Sequence, residues 1–293
     1  MSDVAAGVRR LLTLPRQLQP EALERLLESL GPAPRERWNT AFGPDSLFDT
    51  WTRTTLTRGL YAANALALRP RLQPGWRALE IGGGDGRLWA SLLTPKDRGW
   101  LAICDPAAEV QEQIARRLPG GVEQVSLRGR VEEVELPGRL DVVVCSLTLH
   151  HVAGRDTAER ASVGMSGPGK REVLERIRSA LKPDGLLVLN EADVFCEVEL
   201  PPGDELLVDN MLDSYVRRCA RALLDEPDDE RIDAIVHLWC LEQVRLAHAP
   251  IESRDVYELD VTRWVEVLES AGFQVRRRCT DPYGLFWQYL CSC

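Results

Sequence analysis

The chain has 293 residues, 44% of them hydrophobic, and a formal net charge of −9. This length suffices for one sizeable α/β core with an accessory region. Nucleic-acid-binding proteins usually present a basic surface, so the acidic balance disfavours a DNA or RNA substrate. No apolar run reaches the roughly 18 residues that a membrane span requires, and residues 1–19 lack the apolar core of a signal peptide. We therefore expect a cytoplasmic protein.

The first 70 residues predict a helical cap. Residues 20–31 begin with Pro, carry apolar residues at helical spacing and end in Gly. A second helical stretch is predicted from about Asp45 to Leu68, and Pro70 should end it. This stretch contains Trp51, which could line a substrate pocket, although aromatic residues at helical spacing usually pack in a core.

From Trp76 onward, short apolar runs alternate with helical patterns, which predicts βαβ units and a parallel sheet. The run from Leu140 to Ser146 is almost entirely apolar and suits a central strand buried on both faces. The predicted strands are 77–81, 99–104, 122–127, 140–146 and 185–190, with helices at 87–93, 107–118 and 170–181.

The remaining segments complete the predicted organisation. Residues 154–169 are rich in glycine and predict a loop, and residues 192–258 predict an insert of two amphipathic helices, at 204–224 and 227–249. A helix at 261–271 and strands at 273–280 and 285–291 then resume the α/β order. The predicted domains are a cap at 1–70, a core of 71–191 and 259–293, and an insert at 192–258 that would cover the substrate.

The strongest motif is the turn at residues 78–86, Ala-Leu-Glu-Ile-Gly-Gly-Gly-Asp-Gly, between a predicted strand and a predicted helix. Glycines there let the backbone turn sharply and approach a ligand without Cβ clashes. Dinucleotide sites space their glycines as Gly-x-Gly-x-x-Gly. This turn reads Gly-x-Gly-x-Gly, with the acidic Glu80 two positions before the first glycine.

With this spacing the sequence resembles the class I S-adenosylmethionine-dependent methyltransferases that act on small molecules. Further motifs follow in that family's order: Asp105 after the second strand, residues 129–132, the run 140–152 containing His150 and His151, and residues 181–185 before the fifth strand. The ordered match covers 76–191 and 259–293. The resemblance implies a Rossmann-like α/β fold with a seven-stranded, mostly parallel sheet and a reversed last strand, plus N-terminal helices and a helical insert as a lid.

The resemblance also implies the cofactor, S-adenosylmethionine, with S-adenosylhomocysteine as its product. The glycine loop would lie against the methionine portion, and the Asp105 carboxylate would accept hydrogen bonds from the ribose hydroxyls. Arg130 departs from the acidic residue that the family usually has near the adenine. The implied cofactor-binding residues are Glu80, Gly82, Gly84, Gly86, Asp105, Pro106, Arg130, Val131 and Ser146.

Methyl transfer from a sulfonium is an in-line displacement, so the protein mainly aligns the nucleophile and excludes water, and an oxygen or nitrogen nucleophile could also need a base. His150 and His151 follow the fourth predicted strand, and Glu191 follows the fifth, at the edge where α/β active sites open. We predict these three as catalytic residues. The alternative is that the histidines pack against the sheet edge and that Glu191 caps a helix.

The predicted substrate contacts are Asp193, His237, Tyr257 and Trp51. The eight cysteines are scattered without a Cys-x-x-Cys pair, and no metal cluster is visible, so we predict no metal site. No Asn-Pro-Pro-Tyr-like sequence follows the fourth strand, where amino-methylating enzymes of nucleic acids and proteins often have one; this favours a small-molecule acceptor.

The sequence thus predicts methylation of a small, fairly apolar metabolite of a secondary pathway, first at oxygen and next at nitrogen or carbon. The expected partner is that small-molecule acceptor, with no nucleic acid and no membrane, and a homodimer is allowed. Two alternatives stay open: a methyltransferase of a peptide or protein, and a fold that binds the cofactor without methylating, as a cyclase or a regulatory binding module.

Overall fold

A computed structural model describes residues 50–84, 86–152, 168–194, 203–211, 217–236 and 259–293, together with residues 238, 249 and 250 and scattered positions between 6 and 25. Within these residues the chain forms a seven-stranded sheet with helices packed on both faces. The strands are β1 (Trp76–Ile81), β2 (Gly99–Asp105), β3 (Val122–Arg128), β4 (Leu140–Ser146), β5 (Leu181–Ala192), β6 (Gln274–Cys279) and β7 (Phe286–Ser292).

The strand order is β3-β2-β1-β4-β5-β7-β6. β1 to β5 pair in parallel, whereas β7 runs antiparallel to both β5 and β6. This confirms the Rossmann-like sheet with a reversed last strand. Because the carboxyl ends of parallel strands meet at one edge, the residues after β1, β2, β4 and β5 lie together there.

Apolar side chains on both faces hold the sheet between two helical layers. The central residues of β4, from Val142 to Cys145, are fully buried. One face packs against a layer that includes the fully buried Trp264, and the other against a layer that includes Trp89. The helices are α1 (Thr55–Leu68), α2 (Arg87–Leu92), α3 (Ala108–Arg117), α4 (Pro168–Ala180), α5 (Glu205–Met211), α6 (Arg217–Asp225), α7 (Asp229–Ile235) and α8 (Val261–Ser270).

The predicted helix from Asp45 to Leu68 is interrupted near its middle. Residues 50 and 51 are helical, residues 52–54 form a turn, and α1 begins at Thr55, while residues 45–49 lie outside the described part. The Thr55 backbone N–H donates to Glu226 Oε2 at 2.9 Å, and the Glu226 side chain is almost fully buried. A carboxylate 171 positions away therefore caps the helix, which satisfies an orphan N–H of its first turn.

Other predicted segments shift in their bounds. Pro168 and Gly169 begin α4 instead of ending a loop, and residues 153–167 lie outside the described part. The predicted helix 20–31 lies mostly outside it as well. In the insert, α5 and all but the last residue of α6 fall within the first predicted helix, and α7 falls within the second. Among the residues described, no helix is both long enough and apolar enough to span a bilayer.

Candidate active site

The glycine turn between β1 and α2 adopts the backbone that the motif predicts. Gly82, Gly84 and Gly86 have φ values of +74°, +53° and +71°. Non-glycine residues rarely adopt these angles, because their Cβ then approaches the following carbonyl oxygen. A Cβ built on Gly82 would also lie 2.1 Å from Thr148 Oγ1. The turn therefore requires glycine at Gly82 both for its conformation and for its closeness to the segment after β4.

Glu80, near the end of β1, stabilises the glycine turn. Its carboxylate is buried, and Oε2 accepts a hydrogen bond from Trp89 Nε1 at 2.8 Å. Since Trp89 belongs to the first turn of α2, the contact ties the end of β1 to the helix that follows the glycines. A direct contact between Glu80 and the cofactor stays a prediction.

Asp105 ends β2 and faces the same turn. Its Oδ2 accepts from the Gly83 backbone N–H at 3.1 Å, and its Oδ1 accepts from the Ala107 N–H at 2.8 Å. Burial raises the pKa of this carboxyl, and the two backbone donors oppose that shift. A carboxylate has about four acceptor positions, so two remain for the ribose hydroxyls. The positive-φ glycine turn and this carboxylate together fit a nucleoside with an amino-acid tail.

The predicted adenine contacts follow β3. Arg130 is exposed, and its carbonyl accepts from the backbone N–H groups of Glu133 and Val134 in a turn. Val131 is buried, and its carbonyl accepts from Arg176 Nη1 at 2.8 Å. Pro106 is exposed directly after Asp105. These positions lie beside the ends of β2 and β3, and their contact with the adenine stays a prediction.

At the end of β4, Ser146 lies opposite Asn190 of β5. The next residue, Leu147, has a φ of +53°, and its N–H donates to the Asn190 carbonyl at 2.8 Å. A non-glycine residue in the left-handed region costs about 1–3 kcal/mol and is common at functional sites. The strained residue directs the chain from Ser146 toward Thr148 beside the glycine turn.

The three predicted catalytic residues come together at this edge. His150 Nδ1 lies 2.8 Å from Glu191 Oε2, and His150 Nε2 lies 3.2 Å from His151 Nε2. Glu191 is fully buried, His150 is 6% exposed, and His151 is exposed. The Oε1 atom of Glu191 accepts from the Thr148 N–H at 3.2 Å. A buried carboxylate is therefore connected to a solvent-facing imidazole through a second imidazole.

The structure gives two predicted substrate contacts another role. Asp193 Oδ2 accepts from Arg218 Nη1 at 2.9 Å, and its Oδ1 accepts from the Val261 N–H at 3.0 Å, so both oxygens already connect the core to α6 and α8. Trp51 is 4% exposed and packs edge-on against Phe286, with ring centroids 6.2 Å apart. Both side chains therefore have structural contacts, and a contact of either with the substrate stays a prediction. His237 and Tyr257 lie outside the described residues.

Sequence reasoning missed several polar residues around the site. Lys170 is 1% exposed and donates to the Val152 carbonyl at 2.7 Å, directly after the histidine pair. A network of amides also surrounds Ser146, formed by Asn64, Asn190 and Gln288. The only sequence signal for these residues is a polar side chain within an apolar strand or helix. In the described ranges, no group of three or more His, Cys, Asp and Glu side chains could hold a metal ion.

Together, the sheet with its reversed strand and the glycine turn facing the carboxylate of β2 define a Rossmann-like nucleoside-binding protein. Residues 79–187 match the family model described as a methyltransferase domain. The chain therefore contains a class I S-adenosylmethionine-dependent methyltransferase domain; it is an enzyme of this class, and its cofactor is S-adenosylmethionine.

Solved structures agree on the fold at low sequence identity. The CMeT domain of the citrinin polyketide synthase superposes with a TM-score of 0.55 at 13% identity, over 87% of this chain and 59% of that chain. A protein of Bordetella parapertussis, described as a possible exported protein, gives 0.53 at 16% identity, over 99% and 97%. Mitomycin 7-O-methyltransferase superposes less closely, with a TM-score of 0.45 at 19% identity, over 100% of this chain and 74% of that chain. No curated protein sequence matches the chain.

Proposed function

We propose that this protein methylates a hydroxyl oxygen of a small-molecule acceptor from a secondary pathway, with His151 as the general base. The single observation that carries the proposal is the continuous arrangement Glu191–His150–His151 at the carboxyl edge of the sheet. Such a base is most useful for a hydroxyl, because a neutral amine already has a free lone pair.

The hydrogen-bond directions along this arrangement follow from the donors and acceptors. An ionised Glu191 only accepts, so His150 carries its proton on Nδ1. Neutral His150 then has its lone pair on Nε2, which accepts from His151 Nε2–H. In this arrangement a neutral His151 carries its lone pair on Nδ1.

His151 Nδ1 would take the hydroxyl proton as the acceptor oxygen attacks. Only one proton fits between the two Nε2 atoms, so the histidine pair holds at most one positive charge, and the buried Glu191 carboxylate balances it. The cofactor, when bound, supplies a methyl group activated by its positively charged sulfur. The protein contributes alignment, proton acceptance and exclusion of water.

We also propose that the N-terminal cap and the 192–258 insert enclose the acceptor. Asn64 of α1 contacts Ser146 at the carboxyl end of β4, and Glu226 of the insert caps α1 at Thr55. Tyr283 donates to Asp225 at 2.9 Å, which connects the insert to the loop before β7. These contacts support a cover over the edge where the histidine pair lies.

The test uses the full chain, methyl-labelled S-adenosylmethionine and a panel of phenols, carboxylic acids, amines and short peptides. We expect transfer to hydroxyl acceptors, and His151→Phe should lower kcat by about 10²–10⁴-fold while the Kd for the cofactor is unchanged. Arg116→Phe, on the exposed face of α3, is the control. Transfer confined to amines or peptides, or an unchanged rate in His151→Phe, would contradict the proposal. Cofactor binding without any methylated product would favour the non-methylating alternative.

A further inference from the structure

Five polar side chains from five elements form a hydrogen-bond network that reaches the carboxyl edge of the sheet at Ser146. Arg278 of β6 donates through Nε to Gln288 Oε1 at 2.8 Å, and through Nη2 to the Ala63 carbonyl at 2.8 Å. Gln288 Nε2 lies 2.7 Å from Asn64 Oδ1 and 3.3 Å from Asn190 Oδ1. The Nδ2 atoms of these two asparagines lie 3.1 Å and 2.9 Å from Ser146 Oγ. Asn64, Asn190 and Gln288 are fully buried.

Arg278 fixes the direction of every bond in this network. A guanidinium has donors and no acceptor, so the Gln288 atom facing it must be the carbonyl oxygen. The amide nitrogen of Gln288 then faces Asn64 and Asn190 and has one hydrogen for each of them. Both asparagines accept through oxygen on that side, which leaves their Nδ2 groups to donate to Ser146.

The hydroxyl group of Ser146 is therefore left with one unused hydrogen-bonding capacity, its donor hydrogen. Its hydroxyl oxygen has two acceptor positions and a single donor hydrogen. The two asparagines fill both acceptor positions, so the hydrogen must point to a different group. Within the residues that the structure describes, no side chain or carbonyl accepts it, and Ser146 is only partly buried. The hydroxyl is thus held ready to donate to a ligand oxygen.

The position of Ser146 indicates which ligand oxygen this is. Cys145, the preceding residue, pairs with Ile81, so Ser146 lies beside Gly82 and the start of the glycine turn. The inference rests on the proposed function, and the family resemblance implies that the methionine portion of its cofactor lies against this turn; the one negatively charged group of that portion is its carboxylate. We infer that Ser146 is an obligate donor to this carboxylate and that Arg278 sets the donor direction from three hydrogen bonds away.

The test compares two ligands by calorimetry: S-adenosylmethionine and its decarboxylated form, which has the same sulfonium and adenosine. A hydrogen bond to a charged group stabilises by about 1.5–3 kcal/mol. Ser146→Ala should therefore weaken S-adenosylmethionine binding by at least about tenfold and leave the Kd of the decarboxylated ligand within about twofold. Ser146→Thr, which keeps the hydroxyl, should bind both ligands as the wild type does.

Arg278 provides an independent test. Lysine also has only donors, so Arg278→Lys should preserve the wild-type ratio of the two Kd values. Methionine has no strong donor, so Arg278→Met should let Gln288 reverse and should lower this ratio by about threefold or more. Thermal unfolding checks that the variants are folded, and the ratio of the two Kd values remains interpretable for a partly destabilised protein.

The outcomes separate this inference from the proposed function. Equal losses for both ligands in Ser146→Ala, or no loss for either, would overturn the assignment of the carboxylate while leaving the cofactor in place. An unchanged Kd ratio in Arg278→Met would overturn the role of Arg278. If the wild type binds neither ligand, the cofactor and this inference both fall. If it binds both ligands but transfers no methyl group, only the proposed reaction fails.

Discussion

Thr148 occupies the space that a side chain on Gly82 would need: a Cβ built on Gly82 would lie 2.1 Å from Thr148 Oγ1. The same threonine donates its N–H to Glu191 and its hydroxyl to the Ser146 carbonyl, at 3.1 Å. The glycine turn and the segment that carries the histidine pair are therefore in direct contact, and a change in one must displace the other.

Gly82→Ala should abolish cofactor binding or weaken it by more than about tenfold, because the new methyl group must push Thr148 away and must also adopt a φ of +74°. Gly75→Ala is a matched control, since Gly75 has a φ of +83° but no atom within 4 Å of its Cβ position. Both variants should lose about 1–2 kcal/mol of stability from backbone strain. Calorimetry with S-adenosylhomocysteine measures binding, and equal affinities in the two variants would contradict the contact.

Glu191→Gln should lower kcat by about 10²–10⁴-fold without changing the Kd for the cofactor. The Thr148 N–H requires an oxygen acceptor, so the glutamine would turn its NH₂ toward His150. His150 would then carry its proton on Nε2 and leave its lone pair on Nδ1. His151 would accept this proton at its own Nε2 and would hold its remaining proton on Nδ1, where it can no longer act as a base.

In the wild type, kcat should rise with pH, because the base must be unprotonated to accept the hydroxyl proton. In Glu191→Gln the remaining rate should lose this dependence. Glu175→Gln, which changes an exposed carboxylate paired with Arg171, is the control and should behave as the wild type does. A rate for Glu191→Gln within threefold of the wild type would refute the role of Glu191 in setting the tautomers of the histidine pair.

Asp193→Asn should destabilise the protein by about 1–3 kcal/mol, since Arg218 would face an NH₂ group where it now meets a carboxylate oxygen. We expect a loss toward the lower end of this range, because the side chains of Arg218 and Asp193 are 21% and 28% exposed and solvent screens their interaction. Urea unfolding measures the change. Glu112→Gln, from an exposed pair on α3, should change stability by at most about 0.5 kcal/mol. Unchanged stability together with a raised KM for the acceptor would instead support Asp193 as a substrate contact.

Cys104 should resist alkylation in the folded protein. Burial raises the pKa of its thiol to about 12, and burial also raises the pKa values of Cys145 and Cys291. The thiolate is the reactive form, so these thiols should react with iodoacetamide at pH 8 only after unfolding. Cys293 is only half-buried and should react before these three thiols. Peptide mapping after short exposure measures the order, and equal rates for Cys104 and Cys293 would contradict the burial.

The sheet could be predicted because strands and helices differ in the period of their apolar residues. The glycine turn could be predicted because few backbones other than a ligand-binding turn require the Gly-x-Gly-x-Gly spacing. The histidine pair and Glu191 could be placed at one edge because parallel strands end there. The amide network could not, since Asn64 and Gln288 are 224 residues apart and each looks like an isolated polar residue. The pairing of Asp193 with Arg218 could not be predicted for the same reason, since the two residues lie on different elements.

Asn190 and Glu191 are consecutive in β5 but have different partners. Asn190 contacts Ser146, and Glu191 contacts His150. Successive side chains of a strand point to opposite faces. Sliding β5 by one position along β4 would therefore exchange the amide and the acid, and would remove ligand recognition and proton acceptance at once. The β4–β5 register shifts within the Lys182–Gly185 part of β5, so chimeras that change the length of this part must keep Asn190 and Glu191 on their present faces, whatever the effect on stability.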